Sequence, residues 1–70
     1  MDVLVFKTNI IAPDAKPIIG ERLMKLGGIA QWSIDFSDRD KVLRVESDSV
    51  PPADVVKVVN SAGFLCEELV

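Results

Sequence analysis

The chain has 70 residues, 49% of them hydrophobic, with 8 Lys and Arg against 11 Asp and Glu and a net charge of −3. That length fits one small domain spanning 1–70 with no second core, and one Cys without any His excludes an internal disulfide and a structural zinc site of the Cys/His type. The acidic balance argues against nucleic acid, which needs clustered cations, and against an anionic membrane surface; no apolar run reaches the roughly 18 residues of a spanning helix.

Residues 2–8, Asp2-Val3-Leu4-Val5-Phe6-Lys7-Thr8, are rich in β-branched and aromatic side chains and predict a first strand. Val3 and Val5 alternate with Leu4 and Phe6, so both faces are apolar, as expected in the middle of a sheet. Residues 14–26 predict a helix. Asp14 is placed to cap it by accepting from first-turn N–H groups. Pro17 falls in that turn, where a missing N–H costs little. Proline disfavours helical geometry in the residue before it, so a start at Pro17 itself is the alternative. Ile19, Leu23 and Leu26 recur at helical spacing. Glu21 and Lys25 form an i, i+4 pair, and Gly27 supplies the left-handed end.

Residues 29–36 and 41–47 predict two strands around the polar turn Ser37-Asp38-Arg39-Asp40, forming an antiparallel hairpin. Trp32, Ile34 and Phe36 share one face of the first, and Leu43 and Val45 are the core pair of the second. Pro51-Pro52 opens a helix over 51–62 with Val55, Val59 and Ala62 as its buried stripe, and Gly63 ends it. Residues 64–69 predict a last strand with Phe64 and Cys66 on one face. The order βαββαβ predicts an α+β ferredoxin-like two-layer sandwich: a four-stranded antiparallel sheet with both helices on one face. The expected core is Phe6, Ile19, Leu23, Ile29, Ile34, Leu43, Val45, Val55, Val59 and Ala62.

Asn9-Ile10-Ile11-Ala12-Pro13-Asp14-Ala15 lead from the first strand into the first helix. Leu26-Gly27-Gly28-Ile29 and Trp32-Ser33-Ile34-Asp35 follow, and Ser61-Ala62-Gly63-Phe64 precede the last strand. From Val5 to Leu69 this layout resembles the heavy-metal-associated domain family: small copper and mercury chaperones, and the N-terminal modules of metal-pumping ATPases. The resemblance implies a first loop of the form Met-x-Cys-x-x-Cys, whose two thiolates hold a soft metal. It also implies that this end of the domain meets protein partners. Here Ile10 stands at the Met position, and Ala12 and Ala15 stand at the two Cys positions.

Soft-metal binding needs two sulfurs that converge on one ion. Methyl groups offer no donor atom, and Pro13 and Pro17 stiffen a loop that must rearrange to pass an ion on. The expectation is therefore no metal site and no cofactor. Ala12 and Ala15 are read as packing positions, and Ile10, Ile11, Pro13 and Phe64 as a candidate contact surface for a protein partner. Cys66 has no His to activate it and reads as a small buried hydrophobe. Asp35, Asp38 and Asp40 lack the spacing and the Gly of a calcium loop and read as a solvated turn. Glu67-Glu68 read as the polar part of an edge strand. Trp32 reads as core, because the third strand offers no second aromatic and one Arg44 is not a basic surface.

No nucleophile, base or phosphate-cradling motif is present, so no enzyme is expected. The expected function is that of a heavy-metal-associated-like binding domain that has lost its metal ligands and serves as a protein-interaction module. One alternative is a metal-handling protein with a non-standard site, built from carboxylates or from Cys66 of two copies. Another is a metallochaperone whose ligands were engineered away. A third is a homo-oligomer joined through the open sheet face, where Val3, Val5, Val42 and Arg44 are expected. A lone Cys and a start without a basic region point to the cytoplasm.

Overall fold

In the computed structural model, which describes residues 2–69, β1 (Asp2–Thr8) runs between β3 (Val42–Ser47) and β4 (Cys66–Glu68). β2 (Ile29–Asp35) lies outside β3, and every pairing is antiparallel. With α1 (Lys16–Met24) after β1 and α2 (Pro52–Ser61) after β3, the order is the ferredoxin-like βαββαβ of an α+β sandwich. The register pairs Leu4 with Val45 and Phe6 with Leu43, which fixes one apolar face. Ile19 and Leu23 of α1 and Val55 and Val59 of α2 complete the core on that face. Ile29 belongs to it as well.

Ile34 and Ala62, expected inside, are half-buried and pack against the core from its margin. Ile10 and Ala15 take full places in it instead. Ile34 lies on β2 at the edge of the sheet, and Ala62 follows the last turn of α2, so each keeps one side open.

The predicted start of the first helix is corrected. Pro13–Ala15 form a 3₁₀ turn, and α1 begins at Lys16. Asp14 lies inside the turn and makes no side-chain cap. Of the two N–H groups an Asp14 cap would accept, those of residues 16 and 17, Pro17 has none. The Lys16 N–H reaches Pro13 O instead, and the Ala15 N–H reaches Ala12 O at 3.1 Å, both tighter i to i+3 bonds. Past the helix ends, Gly27 and Gly63 take φ of +71° and +94°, the left-handed region that glycine reaches without cost.

A register shift between Ile29 and Gln31 interrupts the β2–β3 ladder. Simple alternation would set Ile29 against Trp32. The extra residue returns both to the core side, facing Ser47 and Val45. β4 is shorter than the predicted 64–69, because Phe64 and Leu65 are spent on the approach from α2. The ladder still reaches Leu69, whose N–H donates to Val5 O at 2.8 Å.

The helix layer meets the sheet closely at Gly20. A Cβ there would lie 2.5 Å from Cζ2 of Trp32, so only glycine lets the indole come this close to α1. Gly20→Ala is expected to lower stability by about 1 kcal/mol net, overpacking outweighing the better helix propensity of Ala. It should also shift the emission of the single Trp; wild-type melting with unchanged fluorescence would contradict this contact. Leu23→Ala, at a site with no exposure, is expected to cost about 2–5 kcal/mol in a denaturant titration. In so small a domain that is a large fraction of the total.

Candidate functional site

The first loop is built outward from Thr8, which is nearly buried. Its N–H donates to Asp40 O at 3.0 Å, and its hydroxyl donates to Lys41 O at 2.6 Å. The same hydroxyl oxygen accepts the N–H of Ile10 at 3.2 Å. One side chain thus ties the end of β1 to the end of the β2–β3 hairpin and turns the chain inward at Ile10. Ile10 is 0% exposed. It therefore cannot be part of a contact surface, which corrects its assignment as a partner residue. The position is apolar because the core takes it.

Ile11 is turned the other way and is 74% exposed. Ala12 and Pro13 follow it on the surface, while Ala15 is packed away. Of the two alanines, then, Ala15 is a packing position and Ala12 is not. Phe64 is half-buried. Beside it, Leu65 is 69% exposed, and its N–H donates to Asn9 Oδ1 at 2.8 Å. Asn9 thereby holds the α2–β4 connection against the first loop. Ile11 and Leu65 are presented at the same end of the sandwich. Leu65 was legible in principle: it stands between two inward residues, Phe64 and Cys66, so alternation turns it out.

An open groove of about 490 Å³ lies alongside, lined by residues that include Asn9, Asn60, Leu65 and Cys66. Cys66 is half-buried, and burial pushes its thiol up to about 11. The group is therefore a neutral thiol at physiological pH.

These residues do not fit a soft metal. Ala12 and Ala15 carry methyl groups, and the Ala12 carbonyl is taken by the Ala15 N–H. The one sulfur nucleophile of the chain stays protonated across the groove. Among the described residues, no three His, Cys, Asp or Glu side chains come together as a ligand set.

The hairpin carboxylates serve the backbone. Asp35 Oδ1 accepts the Ser37 hydroxyl at 2.6 Å and the Ser37 N–H at 3.1 Å, which hold its carboxyl below the ordinary value. Asp38 Oδ1 accepts the N–H of Asp40 at 2.8 Å. Lys41 then closes the turn at φ +46°. Trp32 is half-buried against α1.

On the open sheet face, Val3, Val5, Val42 and Leu69 are interspersed with Lys7, Asp35, Arg44, Glu46 and Glu67. Val3 and Leu69 are its exposed large apolar residues, at 47% and 41%. Among the described residues, no helix is long and apolar enough to cross a membrane.

Comparison with solved structures fits this geometry. The yeast copper transporter domain CCC2A superposes with a TM-score of 0.84 at 18% identity, over 97% of this chain and 94% of that one. A copper-binding domain from HMA7, a P-type ATPase, gives 0.84 at 19% identity, over 100% and 96%. The Atx1-Cu(I)-Ccc2a complex gives 0.81 at 18% identity, over 97% and 94%. The fold is that of heavy-metal-associated domains. No family model matches the chain, and no curated protein does. At these identities the likeness is one of backbone, and the Ala12 to Ala15 loop occupies a scaffold that carries copper and zinc in its neighbours.

A buried neutral thiol has a kinetic signature. Burial pushes the Cys66 thiol up from its ordinary 9.0 to about 11. At pH 8 its alkylation by iodoacetamide is expected to run about 100-fold slower than in the urea-unfolded chain, from the thiolate fraction alone. Because the folded value is raised, this site favours folding below pH 9 and loses that contribution as pH rises toward 11. Equal rates in both states would show a reactive thiol.

Proposed function

We propose that this domain is a protein-docking module on a heavy-metal-associated scaffold that has lost its metal ligands. It contacts its partner through the first loop and the adjoining α2–β4 connection. The observation that carries the reading is the loop itself: Ile11 and Leu65 exposed at one end, braced by Thr8 and Asn9, where the family's two thiolates are replaced by methyl groups. A carrier must loosen its loop to release an ion. A docking surface gains from staying fixed, since less freedom is lost on binding.

The contact residues are Ile11, Pro13 and Leu65, with Phe64 supporting them from the margin. The Atx1-Cu(I)-Ccc2a complex, in which a chain of this fold is bound to a protein partner, supports protein docking as a use of the scaffold. Partner contact through the open sheet face is less well supported, because charged side chains break up its valines.

Two measurements test it. Titration with Cu(I) under a competing chelator is expected to give no stoichiometric site in the native chain. The double substitution Ala12→Cys with Ala15→Cys is expected to create one. Tight binding at one ion per native chain would overturn the loss of ligands.

For docking, a photo-crosslinking residue placed at position 11 is expected to form one discrete adduct in cells that make the protein. The same probe at Lys57, on the exposed side of α2, is expected to form none, and Leu65→Glu is expected to abolish the adduct at 11. Identical adducts from both positions would remove the loop from the interface.

A further inference from the structure

We infer that the free edge of β2 is a homotypic interface, at which two copies join their sheets through antiparallel β2–β2 pairing centred on Ser33. This surface is separate from the loop, and the inference does not rest on the docking reading.

The two edges of the sheet are unlike. β4 is three residues long and carries Glu67 and Glu68, the kind of short, charged edge that resists pairing. β2 spans seven residues, Ile29–Asp35, and contains no Pro, Lys or Arg. Its outer edge offers backbone groups with no strand beside them among the described residues. The irregularity at Ala30 removes the beginning of the strand from regular pairing and leaves residues 31–35, whose midpoint is Ser33.

A two-fold axis through Ser33 gives a consistent set of cross-strand pairs. Ser33 meets Ser33, hydroxyl to hydroxyl. Gln31 meets Asp35 on the open face, an amide donor opposite a carboxylate. The Asp35 oxygen Oδ2 takes no part in the bonds to Ser37. Trp32 meets Ile34 on the helix face, where each is half-buried in one copy. No like charges oppose one another, and aromatic–aliphatic and polar pairs of this kind each stabilise a ladder.

The helix layer extends the same match. Gly20 packs on Trp32, so the side of α1 that carries Gly20 overlies β2. Met24 lies one turn further along that side and is 57% exposed. The axis keeps both helix layers on one side of the joined sheet. It therefore brings the Met24-bearing sides of the two α1 helices toward each other above the Trp32–Ile34 pairs. A second copy covers the open backbone edge and the apolar lip together. A strand from an unrelated protein would have to supply both.

The test is the mass of the full chain in solution by light scattering after size exclusion, up to about 1 mM, beyond which a dissociation constant has no practical meaning for a dimer. The wild-type mass is expected to rise from 7.7 kDa toward twice that value. Ser33→Lys, at an exposed position, sets two cations against each other at the axis. It is expected to stay monomeric with unchanged thermal melting. In a Cys66→Ser background, Ser33→Cys is expected to form an intermolecular disulfide under mild oxidation, and Asn60→Cys is not. Val5→Glu and Ile11→Glu are expected to leave the dimer intact. A wild-type monomer at the highest concentration would overturn the proposal, as would a Ser33→Lys dimer or a Ser33→Cys chain that does not cross-link. Loss of the dimer in Val5→Glu would move the interface to the open sheet face.

Discussion

A single hydroxyl group governs the loop end of the sandwich. Thr8 ends the central strand, and its Oγ1 donates to the hairpin at Lys41 while accepting from Ile10. Those two bonds join three segments that are distant in sequence or opposed in direction. Each is a modest interaction, but both lie in nearly buried surroundings, where leaving a backbone group unpaired is costly. Once Ile10 is committed inward, Ile11 has only the outward direction left. The exposure of the loop is in this sense a product of packing beneath it.

That arrangement leaves the first loop little freedom. Two prolines fix the dihedral angles of the following turn, and the Ala12 carbonyl is spent on closing it. Little in the loop remains free to exchange one ligand geometry for another. The chain's one thiol, Cys66, is half-buried, and burial raises it further above its ordinary value. The sandwich rests on core contacts from Phe6, Ile19, Leu43 and Val55, none of which involves the loop alanine Ala12.

Most of the architecture was legible because the strands alternate and the helices repeat in ways that packing later enforces. Phe6, Leu23, Val45 and Val59 were readable as core from spacing alone. The failures have local causes. Ile10 and Ile11 are adjacent and chemically identical, so nothing in the sequence says which one points inward; the Thr8 hydroxyl decides it. Asp14 looks like a helix cap, yet Pro17 has no N–H to offer it and the Lys16 N–H goes to Pro13 O. A bulge in β2 reverses the facing of Ile29 relative to Trp32, and bulges leave little trace in a pattern. Ala12 and Ala15, by contrast, were informative through their chemistry, since a methyl group cannot ligate wherever the fold places it.

The position of β1 has a consequence for how the chain reaches its native state. Its neighbours are β3 and β4, so β1, once synthesised, must wait for residues 42–47 and then for residues 66–68. Until then Leu4 and Phe6 have no sheet to join. Contacts of such wide sequence separation make closure slow relative to local helix formation. During synthesis, the nascent amino-terminal half thus holds an apolar strand with both edges unsatisfied, a species that chaperones recognise and that aggregates at high concentration.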